Sequence, residues 1–178
     1  MRGFVFYLAI GLLAALAQTS FLPLFFPPGL RPDLLLVLVI YLGLSEHMLR
    51  AVLLVLLLGG IQDSFSGTSL GLYIFVYLAV LLQVRLLSEH LNVESPPLLL
   101  LLIAGGTLVQ DLLLAFCLTI FADVGSVVHI LLPSFPLHVF VNLVAAAIGL
   151  FFILRIRPLF GFRSGLAGLM YQSKRHGS

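Results

Sequence analysis

Long apolar stretches dominate this sequence. Residues 68–87, 97–122 and 135–154 each run for 20 residues or more with at most one charged residue, and about 20 apolar residues in an α-helix suffice to cross the hydrocarbon core of a bilayer. Hydrophobic residues make up 61% of the 178 residues and charged residues 9%, whereas a soluble domain carries about 25% charged residues. Such a chain cannot cover a surface that faces water, so the sequence predicts an all-α integral membrane protein.

The number of spans depends on residues 32–61, where two apolar runs flank a polar hexapeptide at residues 45–50. A single long helix would place Glu46, His47 and Arg50 near the bilayer centre, where each charge costs about 2.5–3.5 kcal/mol. Two short helices place the same residues in a turn at the interface. We therefore predict a six-transmembrane-helix bundle, with spans at residues 3–22, 32–45, 49–63, 68–87, 97–122 and 135–156.

Proline and acidic residues mark the expected helix starts. Proline is tolerated in the first turn of a helix and damaging further in, so Pro32, Pro97 and Pro133 are expected at helix starts or in the loops before them. Asp33 follows Pro32 and is expected to cap the second helix, because the positive end of the helix dipole favours an acid. A contact role for Asp33 is the alternative.

The basic residues predict the orientation. Six spans with a cytoplasmic N-terminus leave only Arg31 outside and put eight cations inside, as the positive-inside rule requires: Arg2, Arg50, Arg85, Arg155, Arg157, Arg163, Lys174 and Arg175. Residues 1–157 would form the transmembrane domain and residues 158–178 a cytoplasmic basic tail. A five-span protein with the N-terminus outside has nearly the same distribution, and only the burial of the 45–50 charges separates the two.

Six polar side chains are expected at one depth in the outer half of the bundle. Counting about 1.5 Å per helical residue from the cytoplasmic ends, each lies about 20–25 Å from the inner face: Gln18, Asp63, Tyr73, Asp111, His138 and Asn142. Polar groups commonly lock membrane helices together, which is the favoured interpretation of this layer. The alternative is the floor of an outward-facing cavity that contacts a partner or ligand.

Signatures of catalysis are missing from the sequence. The histidines and the single Cys117 show no metal-ligand spacing, no glycine-rich loop suits a phosphate, and no Gly-x-Ser-x-Gly elbow presents a nucleophile. The net charge of +2 is too small to suggest nucleic acid. We therefore expect no enzyme activity, no cofactor and no metal.

Two segments resemble a known family. One is a Pro-Asp-Leu-Leu run that precedes a Tyr-Leu, and the other is a Gln-Asp-x-x-Ser-Gly-x-x-Leu-Gly turn. Together they resemble the rod shape-determining protein MreD family, on the motif residues Pro32, Asp33, Gln62, Asp63, Ser66, Gly67, Leu70 and Gly71.

The resemblance implies a bacterial inner-membrane scaffold of the elongation machinery. Members of this family pair with the bitopic protein MreC and are linked to the cytoskeletal protein MreB and to the peptidoglycan glycosyltransferase/transpeptidase pair. Their fold resembles the six-helix substrate-binding subunits of energy-coupling-factor transporters, and no catalytic residues are carried over. Small residues such as Gly59, Gly60 and Gly71 suit contact with a partner's spanning helix.

A second function of another class stays open at this point. A small-molecule-binding membrane subunit of a transporter would share the expected fold, and the polar layer would be its pocket, since pockets are concave with a few convergent polar groups. Few aromatic residues lie at that depth and the chain has no tryptophan. The scaffold is therefore the favoured reading of the sequence.

Overall fold

The computed structural model describes residues 2–27, 31–67, 71–90, 96–121 and 127–156, and these residues are almost entirely helical. The first helix is α1, Arg2–Leu16, which continues through a π-helical turn, Ala17–Phe21, into the short α2, Leu22–Phe25. The remaining helices are α3, Leu34–Ser45; α4, Met48–Ser66; α5, Leu72–His90; α6, Pro96–Phe121; and α7, Val127–Ile156. With the first three segments counted as one continuous helix, the described residues form six helices.

The stretch from residue 32 to 61 is two helices, as predicted. The first of them, α3, ends at Ser45, and α4 begins at Met48, so Glu46 and His47 lie in the turn between them. The backbone NH of Glu46 bonds to the carbonyl of Leu42 at 3.0 Å and completes the last turn of α3. The break therefore falls at the charged residues, as expected from the cost of carrying them through the bilayer centre.

The central element is α3, which is apolar on all sides. Nine of its 12 residues are buried, from Leu35 to Gly43, and it packs against α1, α4, α5, α6 and α7. A helix that is hydrophobic all round belongs in a core. Twelve residues span only about 18 Å, against about 30 Å of hydrocarbon, so the start of α3 lies inside the bundle.

The surrounding helices turn apolar side chains outward. Large exposed hydrophobic residues occur on α1, α4, α5, α6 and α7, for example Leu13, Leu53, Phe75, Leu112 and Phe151. Among the described residues, three helices are long and apolar enough to cross a membrane: Gly3–Phe25, Met48–Ser66 and Leu100–Ile120. Lipid is the solvent that suits such a surface, and the protein is a multi-pass membrane protein.

Two predicted helix boundaries are wrong. The first helix continues to Phe25, past the expected end at residue 22 and past Pro23. The wider π-helical turn before Pro23 relieves the clash between a proline ring and the carbonyl four residues earlier. The last helix begins at Val127, so Pro133 lies in its interior and does not mark its start. Membrane helices tolerate interior proline, because neighbouring groups satisfy the freed backbone.

Glycines allow close helix contacts at several places. A Cβ at Gly59 would lie 2.8 Å from the Cα of Ile74, and one at Gly106 would lie 2.9 Å from Cδ1 of Ile40. Because α4 meets the backbone of α5 at Gly59, and α6 meets α3 at Gly106, these two glycines allow close helix approach. A Cβ at Gly60 would have only an ordinary contact, 3.8 Å from Cδ1 of Ile74.

Candidate functional site

Asp33 caps the central helix from inside the protein. Its Oδ1 accepts a hydrogen bond from the backbone NH of Leu36 at 2.9 Å, and the residue is 5% exposed. The predicted capping role is thus confirmed. Since α3 is short, Asp33 lies about 18 Å from the charged turn at its other end, at nearly the depth expected for the polar layer.

Side chains from three other helices converge on the Asp33 carboxylate. The amide Nε2 of Gln110 on α6 donates to Oδ2 at 2.7 Å. The hydroxyl of Tyr77 on α5 lies 3.3 Å from both carboxylate oxygens, and the side chain of Gln18 in the π-helical turn lies near the carboxylate. Gln110 and Tyr77 are 2% and 0% exposed, so these contacts are shielded from solvent.

Asn142 joins the same region from α7. Its Oδ1 accepts a hydrogen bond from the backbone NH of Asp33 at 2.7 Å, and its Nδ2 donates to Oγ1 of Thr107 at 3.3 Å. The hydroxyl of Thr107 in turn donates to the carbonyl of Ile103 at 2.9 Å. Both ends of the fully buried Asn142 amide are therefore satisfied, and α7 is tied to α3 and α6.

Asp111 and His138 form a hydrogen bond beside these contacts. Oδ2 of Asp111 lies 2.9 Å from Nδ1 of His138, with the two side chains 12% and 19% exposed. The imidazole of His138 also lies near the backbone of Arg31. Because His138 and Asn142 share a face of α7, that face binds both the loop before α3 and the α6 helix.

We use the name buried polar cluster for eight residues: Gln18, Asp33, Tyr77, Thr107, Gln110, Asp111, His138 and Asn142. Four of these belong to the layer expected from the sequence, namely Gln18, Asp111, His138 and Asn142. The sequence analysis did not place Tyr77, Thr107 or Gln110 in this layer. For Asp33 it favoured capping, with a contact role as the alternative. Helical spacing could have indicated Thr107 and Tyr77, because residues four apart share a helix face. Thr107 precedes Asp111 by four residues, and Tyr77 follows Tyr73 by four.

Asp63 has a different set of partners. Its carboxylate accepts hydrogen bonds from three backbone NH groups at the start of α5, those of Gly71 at 2.9 Å, Tyr73 at 2.7 Å and Ile74 at 3.4 Å. The acid therefore closes the turn between α4 and α5 and caps α5.

The rest of the Gln-Asp motif shapes the same turn. Gly67 ends α4 with φ +65° and Gly71 has φ +96°, a backbone region that favours glycine. The hydroxyl of Ser66 donates to the carbonyl of Asp63 at 3.3 Å. Leu70 lies outside the described residues.

A pair of tyrosines connects this turn to the buried polar cluster. The rings of Tyr73 and Tyr77 have centroids 5.7 Å apart, and the side chain of Gln62 lies near Tyr73. The turn held by Asp63 is thus connected to Asp33 through the contact between the rings of Tyr73 and Tyr77. The two segments of the sequence that carry the motifs, residues 31–44 and 59–73, are thus connected through Asp33, Tyr77 and Tyr73.

The chemistry of these groups is that of binding and positioning. Among the described residues, no three His, Cys, Asp or Glu side chains come together as metal ligands would. Within the described residues, the hydroxyl of Thr107 is hydrogen-bonded to the Ile103 carbonyl and to Asn142, and the hydroxyl of Tyr77 is hydrogen-bonded to Asp33.

A comparison with protein families decides the relationship. The family model described as rod shape-determining protein MreD matches residues 2–157. The chain belongs to the MreD family. No curated protein and no solved structure gives a significant match. Family membership implies a role in rod-shape determination, in a family that is generally non-catalytic.

Proposed function

We propose that the chain is a non-catalytic membrane scaffold of the bacterial elongation machinery. It pairs with an MreC-type bitopic membrane protein and so links cell-wall synthesis to the MreB cytoskeleton and to the peptidoglycan glycosyltransferase/transpeptidase pair. The family match over residues 2–157 carries this proposal. The polar groups of the bundle support it, because they bind helices to one another rather than presenting a reactive group.

The partner's spanning helix should lie in the membrane, against the outer face of α4. Leu53 and Leu57 are exposed there, 54% and 47%, and Gly60 and Ser64 follow at helical spacing on the same stripe. A pair of small residues four apart lets another helix approach closely. Gly59 is excluded from this surface, since it is buried against Ile74.

The orientation follows from the same proposal. Six helices cross the inner membrane, both termini are cytoplasmic, residues 1–157 form the transmembrane domain, and the tail of residues 158–178, which lies outside the described residues, is cytoplasmic. The turn with Glu46 and Arg50 then faces the cytoplasm. Arg85 supports this placement, because its Nη1 reaches the carbonyls of Gly43 at 2.8 Å and Glu46 at 3.2 Å.

Co-purification and cysteine cross-linking test the pairing. The native Cys117 is first replaced by alanine, and the chain is co-expressed with a tagged MreC-type protein that carries cysteines along its spanning helix. We expect co-purification, with disulfide cross-links from cysteines at Leu53 and Leu57. A cysteine at Leu112 on α6, which is 59% exposed, is the matched control and should give none.

The possible outcomes test the pairing and the position of the interface separately. Loss of co-purification in every detergent and in lipid nanodiscs would contradict the pairing itself. Co-purification with cross-links only from Leu112 would retain the pairing and move the interface from α4 to α6.

A further inference from the structure

The contact between Asp111 and His138 is more exposed than the polar contacts beside it. The two side chains are 12% and 19% exposed, whereas the neighbouring Gln110 and Asn142 are 2% and 0% exposed. A change of protonation at this contact therefore needs no opening of the core. Histidine is the side chain whose charge ordinarily changes between pH 5 and 8, and an ionisable residue within a membrane helix is a candidate for function.

The imidazole of His138 lies between two hydrogen-bond acceptors. Its Nδ1 is 2.9 Å from Oδ2 of Asp111 on α6, and the ring also lies near the backbone of Arg31, in the segment before α3. The acceptor that a backbone offers is its carbonyl oxygen. A neutral imidazole has one NH donor and a protonated one has two, so only protonated His138 can donate to both acceptors.

Few other charges face the ring. The helices that pack on α7 are α6 and α3. Among the described residues, α6 contributes Asp111, and the start of α3 contributes the carboxylate of Asp33 and the guanidinium of Arg31, whose Nε donates to the carbonyl of Phe26 at 3.3 Å. Protonation of His138 therefore turns its hydrogen bond with the Asp111 carboxylate into a pair of opposite charges, the stronger kind of contact.

The contact also adjoins the side chains that hold the start of the central helix. Asn142 follows His138 by one turn of α7, and its Oδ1 accepts a hydrogen bond from the backbone NH of Asp33 at 2.7 Å. Gln110 precedes Asp111 on α6, and its Nε2 donates to the Asp33 carboxylate at 2.7 Å. A change at His138 is thus transmitted over one residue or one helical turn to the segment that begins α3.

We propose that His138 is a pH-sensitive latch at the start of the central helix. In the protonated form it joins α7 both to Asp111 on α6 and to the backbone of Arg31. Loss of the proton releases one of these two contacts and loosens the segment before α3. The proposal goes beyond the scaffold function and does not depend on it, since the latch forms within one chain.

Thermal unfolding of the purified full chain in detergent, measured from pH 5.5 to 8.5, tests the latch. His138→Gln keeps a side-chain donor but cannot gain a proton, and His47→Gln is the matched control, because His47 is an exposed histidine in the turn between α3 and α4. Wild type should exceed His138→Gln in midpoint by about 2–4 °C more at pH 5.5 than at pH 8.5. His47→Gln should follow wild type at every pH.

Two further measurements locate the effect. Backbone amides of residues 31–36 should exchange hydrogen about fivefold faster in His138→Gln than in wild type at pH 5.5, and at nearly equal rates at pH 8.5. Comparison of the two proteins at the same pH removes the intrinsic pH dependence of exchange. NMR of histidine-labelled wild type follows the His138 ring directly and does not depend on the folding of a variant.

Each of the alternative results overturns the proposal. A His138 ring that keeps one protonation state from pH 5.5 to 8.5 excludes the latch, as does a midpoint difference between wild type and His138→Gln that does not change with pH. A difference that is larger at pH 8.5 would show that the neutral ring makes the stronger contacts. Faster exchange throughout α7 with none at residues 31–36 would show a general loss of stability in place of a latch.

Discussion

The backbone NH of Asp33 donates a hydrogen bond to Oδ1 of Asn142 at 2.7 Å, across 109 positions of the sequence. The start of the central helix is thereby fixed to the last helix of the bundle. The side-chain amide of Asn142 also donates a hydrogen bond, through Nδ2, to Oγ1 of Thr107 on α6. One buried side chain thus ties together three helices that are distant in sequence.

Replacement of Asn142 by leucine should destabilise the protein. The change removes both hydrogen bonds and leaves the NH of Asp33 buried without a partner, at a cost of about 1–3 kcal/mol for such a group. The free energy of unfolding in mixed detergent micelles measures the loss. Val144→Leu, at a position that is 45% exposed on the same helix, is the control, and equal stability of the two variants would contradict this role.

Adjacent glycines on α4 should respond differently to alanine. Gly59→Ala brings a Cβ to 2.8 Å from the backbone of Ile74, and separating α4 from α5 should cost about 1–3 kcal/mol. Gly60→Ala meets only an ordinary contact and gains up to about 1 kcal/mol of helix propensity. Unfolding of the two variants side by side distinguishes them, and a Gly59→Ala variant as stable as Gly60→Ala would show that the helices do not meet there.

Arg85 should stabilise the end of the central helix. Arg85→Met removes the charged donor to the carbonyls of Gly43 and Glu46, with an expected loss of about 1.5–3 kcal/mol. Arg85→Lys should restore part of it, as a point charge that cannot reproduce the guanidinium geometry. The control is Arg50→Met, because the Arg50 side chain is 66% exposed and its removal should change the unfolding free energy by less than about 0.5 kcal/mol.

Asp111 and His138 should act as a pair. Asp111→Leu or His138→Leu alone leaves the other group part-buried and unpaired, whereas the double variant leaves neither. In a double-mutant cycle on unfolding, we expect a coupling energy of about 0.5–3 kcal/mol. Additive losses would show that the 2.9 Å contact contributes no stability.

The role of Asp111 in the cell is tested by complementation of cell shape with the variants Asp111→Asn and Asp111→Leu. Wild-type cell shape with both variants would exclude a role for Asp111 in the cell.

The helices of this fold were largely predictable, and the polar contacts were predictable only in part. The charges of Glu46 and Arg50 predicted the break between α3 and α4, because the cost of carrying charge through the bilayer centre can be argued from the sequence. The position of Asp33 required the three-dimensional arrangement. A helix that ends after 12 residues carries its cap into the bundle, and no local pattern shows which side chains from α5, α6 and α7 will meet it there.

Among the sequence features, proline was the poorest predictor of helix boundaries. The rule that places it at helix starts suits Pro32 before α3 but not Pro23 or Pro133, which lie within helical segments. In water a broken backbone hydrogen bond is an argument for ending the helix. In a bundle surrounded by lipid there is no water to take its place, so the helix continues and its neighbours compensate.

The burial of α3 has a consequence for biogenesis. Its 12 residues are too short to span hydrocarbon unaided, and nine of them contact other helices rather than lipid. We expect the translocon to release α3 together with α4 as a hairpin, and the hairpin to reach its final arrangement only after α7 has been synthesised. Chains truncated before residue 127 should therefore be substrates for membrane proteases.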